Sequence, residues 1–310
     1  MNPNINTNRK TITDLLSKKW LSTRIAFQIF LVLVFFLNGC TAPPNSSASN
    51  FALTPEEETR LNRFFSSLLF ENYGAFVLFG SKPLCEMMLV DSAVLEIQQQ
   101  NYLDKMSQER DGENFGYEFN HNPIEDYEVW KKISQKARPT RYLLVANSEG
   151  DQSGTYSLFL VDIQKTALVL EENYEIFKKV AGQDFHPLSI VFELENPNSQ
   201  FWSKVFQLEN HLTKGLLFGF GKKNSILFSW ELEFSESPRV VEYLKTNSLQ
   251  PSTTQTIGFG QGTVNNFTIP IFGSTSEDET VHKYEQEKRQ IEKIYRGQNL
   301  VKITLEKLFS

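Results

Sequence analysis

The apolar positions of this chain fall in short runs closed by glycine, proline or polar turns, and from residue 54 their spacing is mostly helical. Thr54-Pro55-Glu56-Glu57 reads as a helix start: threonine caps, proline takes the first turn, and Glu57 closes a capping box. Leu61, Phe64, Phe65, Leu68 and Leu69 follow at helical spacing until Gly74 breaks the pattern. Residues 75–79 (AFVLF) are expected to form a buried strand, closed by Gly80-Ser81-Lys82-Pro83, and residues 84–110 a helix with a polar tail. A loop over 111–124 and a short helix near 127–137 come next. Residues 141–146 and 156–162 pair as a hairpin across NSEGDQSGT.

The second half continues in the same manner. The spacing predicts a helix over 166–180, and leaves 188–194 and 224–234 open between helix and strand. A helix over 199–214 has Asn198 as its cap and Gly215 as its stop, and a short one covers 238–244. Residues 249–275, rich in Gly, Thr, Ser and Asn, form the longest irregular segment. Ser276-Glu277-Asp278-Glu279 is a second capping box, opening a helix to about residue 296 with Val281, Tyr284, Lys288, Ile291 and Tyr295 along one stripe. Gly297 interrupts, and 300–309 is a final helix. No repeat is visible. The reading is a helix-dominated α+β fold: one globular domain over 54–310 with a small, antiparallel sheet.

The first forty residues follow another pattern. Arg9, Lys10, Lys18, Lys19 and Arg24 stand against one acid, Asp14, ahead of the 13-residue run IAFQIFLVLVFFL at 25–37. A helix of 13 residues is short for a bilayer core, which takes about 20, but suits a secretory signal. Leu37-Asn38-Gly39-Cys40 then resembles the lipobox of bacterial lipoproteins, with a Pro/Ser/Asn-rich stretch after it. The resemblance implies that the Cys40 thiol receives a diacylglycerol and that cleavage makes Cys40 the new N-terminus. Residues 1–39 are then a lipoprotein signal peptide and 40–53 a flexible tether. An uncleaved anchor over 20–37 gives the same topology, with residues 1–24 inside and the body outside the cytoplasm. A soluble cytoplasmic protein is the third reading. The expected location is the bacterial cell membrane or outer membrane, with the lipid bilayer as partner through acylated Cys40 (palmitate among its chains).

Charge sharpens this picture. The whole chain carries −6, but without residues 1–39 it keeps 26 basic and 36 acidic residues and a net charge of −10. Such a body is repelled by anionic headgroups, so lipid on Cys40 has to hold it, and no basic stripe points to nucleic acid. With only Cys40 and Cys85, a disulfide scaffold and a four-cysteine zinc site are excluded. Of 26 phenylalanines, 22 lie beyond the signal, mostly in short apolar runs that favour an aromatic core.

Catalytic signatures are weak. GLLFGFGKK at 215–223 lacks the spacing of a phosphate loop, and Gly219 and Gly221 read as a tight bend. GFGQG at 258–262 lacks the flanks of a dinucleotide fingerprint and reads as a flexible loop. His121, His186, His211 and His282 form no two-histidine motif, and Asp184 with His186 reads as a turn; no metal or cofactor site is expected. No GxSxG or SxxK occurs. Cys85, near Lys82, is flanked by apolar residues and expected to be buried. Glu193/Glu195 and Glu231/Glu233 would each share a strand face, solvated rather than catalytic. The sequons at Asn45 and Asn266 mean little behind a bacterial signal.

Three stretches, ENYGAFVLFGSKP at 71–83, residues 211–221 and the helix at 284–295 with Glu287, Arg289 and Ile291, resemble uncharacterised exported lipoproteins of chlamydial-type intracellular bacteria. The resemblance implies a cell-envelope protein and carries over no functional residue. The expectation is a lipid-anchored, non-catalytic binding or envelope-assembly protein with an envelope or host protein as possible partner. The competing readings are an envelope hydrolase using distant residues such as Asp184, His186 and His211, and a surface-exposed host-interaction protein. Cells fed labelled palmitate are expected to label the wild-type chain and not Cys40→Ala; equal labelling of both overturns the anchor.

Overall fold

Residues 52–90, 94, 123–136, 138–148, 155–207, 209–257 and 260–310 are described by a computed structural model. The predicted signal, Cys40, His121 and most of the 84–110 tail lie outside these residues. The first helix, α1 (Pro55–Ser66), starts as its sequence requires: Glu57 N–H donates to Thr54 Oγ1 (3.2 Å) while Thr54 N–H donates to the Glu57 carboxylate (2.9 Å). Those donated bonds hold the Glu57 carboxyl below its usual range. Leu61, Phe64 and Phe65 are buried, and a π-helical turn (Ser67–Glu71) carries the buried stripe on through Leu68, Leu69 and Phe70.

Two expectations around residue 80 are overturned. The AFVLF run is a helix, α2 (Gly74–Phe79), entered through Tyr73 at φ +64°. A five-residue apolar run has no periodicity of its own, and here every residue from Gly74 to Leu78 is buried by surrounding helices, so pairing into a sheet is not needed to hide it. The run after Pro83 is a strand, β1 (Leu84–Val90), and not a helix. Cys85, Met87 and Leu89 are buried while Glu86 and Met88 are exposed, a period of two that the flanking apolar residues masked.

The hairpin is present. β2 (Tyr142–Ser148) and β3 (Thr155–Asp162) pair antiparallel from Tyr142↔Asp162 to Ser148↔Tyr156. β3 also pairs antiparallel with β1, from Leu84↔Val161 to Val90↔Thr155, so the order is β1-β3-β2 with β3 central. A sheet this small gives a helix-dominated α+β fold, as expected. Its two faces feed two cores. Cys85, Met87, Leu89, Leu158, Leu160 and Tyr142 join a core built with α1, α2, α3 (Pro123–Ser134) and two C-terminal helices. Leu84, Phe159 and Val161 join a second core under the helices that follow β3.

Those helices correct several boundaries. The expected helix over 166–180 is two: α4 (Ile163–Glu172) and α5 (Tyr174–Ala181), separated at Asn173, whose amide bonds back to Val169 O. The ambiguous 188–194 stretch is α6 (Pro187–Phe192) plus a 3-10 turn. The expected 199–214 helix divides into α7 (Gln200–Val205), capped by Ser199 rather than Asn198, and α8 (His211–Leu217), which contains Gly215 instead of ending at it. The second ambiguous stretch is helical, α9 (Lys222–Glu233), and α10 (Pro238–Thr246) follows. Two short strands, β4 (Gln250–Pro251) and β5 (Gly273–Ser274), pair across the irregular segment, whose Phe267, Ile269 and Phe272 are core residues. α11 (Glu279–Tyr295) is capped by Asp278, not Ser276: its carboxylate accepts from the Thr280 and Val281 N–H groups, and Glu277 turns the chain at φ +57°. α12 (Leu300–Leu308) ends the chain where expected. Among the described residues no helix is long and apolar enough to cross a membrane.

At the end of β3, Asp162 is fully buried. Its Oδ2 accepts from Arg141 (2.9 and 3.1 Å) and lies 3.0 Å from Lys165 Nζ, and its Oδ1 caps α4 through Lys165 N–H (3.1 Å). Deleting one member of a buried ion pair strands the other charge. Asp162→Ala is therefore expected to lower unfolding free energy by about 3 kcal/mol in a urea titration. A loss under about 1 kcal/mol, the range of a surface pair, contradicts this role for Asp162.

Candidate functional site

The segment between α8 and α9 turns sharply. Gly219 (φ +74°) and Gly221 (φ +83°) occupy the left-handed region, as the tight bend requires. Gly215 serves a different need: a Cβ there would stand 2.5 Å from Ser225 Oγ, so its bare backbone lets α8 and α9 approach. The start of α9 is tied back onto the bend by Asn224 Nδ2 to Phe220 O (2.9 Å) and Ser225 Oγ to Gly221 O (2.8 Å). Tyr284 of α11 donates to Gly219 O (2.8 Å) from the other side. Burial raises the Tyr284 pKa, which keeps that donor protonated.

The bend delivers Phe218 and Phe220 to the wall of a cavity of about 550 Å³. Phe228 of α9, Leu249 and Pro251 at β4, and Ile271 and Phe272 before β5 complete its apolar lining. The Phe220 and Phe272 rings stack at 5.0 Å and 13°, and the Phe218 and Phe220 rings at 5.9 Å and 26°. The β4–β5 side is held by backbone and hydroxyl bonds: Ser252 N–H donates to Phe272 O (2.9 Å), and Ser252 Oγ donates to Pro270 O (2.7 Å). Polar groups of the lining are few. They include His211, Lys214, Asn224, Ser225 and Glu231. Size and lining are those of a small-molecule site, which spans about 300–1,000 Å³. Around it the surface stays apolar: Phe228, Trp230, Leu232, Phe234, Tyr243 and Ile271 are all more than a third exposed.

Behind the aromatic wall lies a buried cation. Lys82 is only 2% exposed. Its ammonium donates to Phe218 O and sits 5.4 Å from the Phe218 ring centroid and 4.9 Å from that of Phe220. Burial pushes the Lys82 pKa down to about 7, and pushes the nearby Cys85 thiol up to about 12. Cys85 is thus a buried, protonated thiol at neutral pH, as its apolar neighbours suggested. In the sequence Lys82 stood out only as a neighbour of Cys85. Nothing in Gly80-Ser81-Lys82-Pro83 indicates that a fold turns this lysine inward.

The residues singled out in the sequence are scattered. Asp184 is exposed and accepts from Tyr174 Oη (2.9 Å) and Lys178 Nζ (2.7 Å), bonds that lower its pKa. His186 caps α6, with Nδ1 3.4 Å from Ser189 N. His211 alone of the three lines the cavity, edge-on to Phe228 at 5.6 Å. Glu193 accepts from Ser199 Oγ (2.9 Å) on a 3-10 turn. Glu231 and Glu233 do not share a strand face, because α9 is a helix and residues two apart point to different sides. Glu231 lines the cavity while Glu233 accepts from Ser229 Oγ (2.6 Å). His282 stands on α11 beside Glu285. Among the described residues no group of three or more His, Cys, Asp or Glu is placed to hold a metal ion. Of the second glycine cluster, Gly262 is pinned, its N–H donating to Glu71 Oε1 (2.9 Å). No protein-family model matches the chain, and no curated protein or solved structure does either.

The folded Lys82 value of about 7 lies below the ordinary 10.5, so between them the unfolded chain binds more protons and stability rises with pH. Lys82→Met removes that term. Its denaturation midpoint is expected to climb less than the wild-type midpoint between pH 7 and about 10. Parallel midpoint curves for the two proteins contradict a buried, depressed Lys82.

Proposed function

We propose that this chain is a lipid-anchored protein of the bacterial envelope, held through acylated Cys40 with its body outside the cytoplasm, and that the body binds an apolar molecule in the cavity between α8, α9 and the β4–β5 pair. The cavity carries the binding half of this reading: about 550 Å³ of ring and aliphatic lining is space that a folded core does not otherwise leave open. The anchor half is supported by the basic stretch, the apolar run and Leu37-Asn38-Gly39-Cys40. Acidic charge on the body makes binding of an anionic polymer unfavourable and leaves apolar contact as the attraction on offer. An envelope-assembly role through a protein partner is a second reading, favoured by the exposed Trp230, Leu232, Phe234 and Tyr243.

Membranes carrying the full-length chain provide the test. After irradiation with a long-chain alkanol bearing an alkyl diazirine, adducts are expected in peptides covering residues 211–273. Ile271 lines the cavity yet is 42% exposed, so Ile271→Asp sets a charge in the wall and spares the core. It is expected to reduce those adducts by about tenfold, because an apolar ligand cannot pair the charge. Adducts only elsewhere in the chain, or adducts unchanged by Ile271→Asp, overturn the reading.

A further inference from the structure

Asn224 is 2% exposed and belongs to the lining of the cavity. Its amide has one fixed orientation: Phe220 O, a pure acceptor, takes the Nδ2 hydrogen at 2.9 Å, so Oδ1 is the end left over. That Oδ1 is buried and finds no hydrogen-bond partner among the described residues. Ser225, equally buried in the same lining, does not supply one, since its Oγ–H is already given to Gly221 O (2.8 Å). Buried acceptors are satisfied in the great majority of native proteins, so an orphan on a ligand-sized cavity marks a position where a donor is missing.

Resting on the reading that this cavity is a binding site, we infer that its ligand is an uncharged amphiphile, an aliphatic body with a hydroxyl or amide N–H head group that donates to Asn224 Oδ1. The lining contains one basic and one acidic side chain, Lys214 and Glu231, so a charged head group meets no net counter-charge. A carboxylate head is disfavoured further: it is acceptor-only and would set its oxygens against Asn224 Oδ1. The rest of the lining, mostly Phe, Leu, Pro and Ile, accepts the aliphatic body through area alone and asks nothing of its polarity.

Competition against the diazirine alkanol, in membranes carrying the full-length chain, tests this. The competitors are 1-dodecanol, its methyl ether and dodecanoate. They share the apolar body and differ in donor and charge. Dodecanol is expected to suppress adducts at 211–273 at about one-tenth the concentration needed for the ether or the carboxylate. Asn224→Leu, which removes the acceptor at similar volume, is expected to bring dodecanol and its ether to equal potency. Equal potency of the two in wild type overturns the donor assignment, whether or not the variant folds. A preference for dodecanol that survives Asn224→Leu overturns it as well. Both results leave adducts at 211–273 in place, which separates them from failure of the cavity itself, where those adducts are missing from the start.

Discussion

One buried carboxylate ties the framework together. Asp162 ends the central strand, caps α4, and holds Arg141 at the entry to β2 and Lys165 on α4. Lys165 Nζ reaches past it to Val77 O in α2 (2.6 Å), and Asp162 N–H donates to Pro83 O (2.9 Å) at the entry to β1. Both edge strands, the central strand and the two helices flanking them in sequence therefore meet at one residue. Arg141 stays partly in water, so its charge needs little desolvation, and the carboxylate bears most of the burial. An apolar residue in place of Asp162 would pack as well and would cap nothing.

From this point the geometry passes outward to the cavity. Pro83 O accepts from Asp162 N–H and from Thr166 Oγ1 (3.2 Å), which fixes the 81–83 turn against α4. Lys82 within that turn has no freedom to swing to solvent. Its ammonium instead meets Phe218 O and the faces of Phe218 and Phe220, the residues that wall the cavity. On the other flank Tyr284 bonds Gly219 O and packs edge-on to Phe76 of α2 at 5.3 Å. The 218–221 bend is thus clamped between the first and last thirds of the chain. An apolar wall exposed to water tends to collapse on itself; this one is backed by a cation and a phenol that stay in place.

Legibility in the sequence followed the kind of signal available. Elements with a local marker were readable: the Thr54 capping box, the β2–β3 hairpin, the Pro238 helix, the long stripe of α11 and the bend at Gly219 and Gly221. Elements defined by what lies across from them were not. AFVLF and LCEMMLV are both short apolar runs, and only the partner decides: helices enclose the first, and β3 pairs with the second. Gly215 looked like a helix stop because the residue that needs its missing Cβ, Ser225, is ten positions away and on another helix. The irregular 249–275 segment hid Phe267, Ile269 and Phe272, since core membership set by tertiary packing leaves no period. Of the cavity, the sequence singled out His211, Glu231 and the glycines of the bend, but not Lys82 or the orphaned Asn224.

The glycine-rich 215–223 stretch shows why composition misleads about chemistry here. In a phosphate loop, glycines free backbone N–H groups to face an anion. Here the nearby backbone donors are spent inside the fold: Phe220 N–H goes to Gly215 O (2.9 Å), Gly219 N–H to Leu216 O (3.1 Å), and Ser225 N–H to Gly221 O (3.0 Å). The carbonyls are engaged too, Phe218 by Lys82, Gly219 by Tyr284 and Phe220 by Asn224. What the segment then presents is side chain, two phenylalanines facing an apolar space, with a single unmet acceptor on Asn224. The same residue types that cradle phosphate when their amides are free build an apolar wall when those amides are consumed, and the difference lies in the partners, Lys82, Tyr284 and Ser225, that the rest of the chain brings to them.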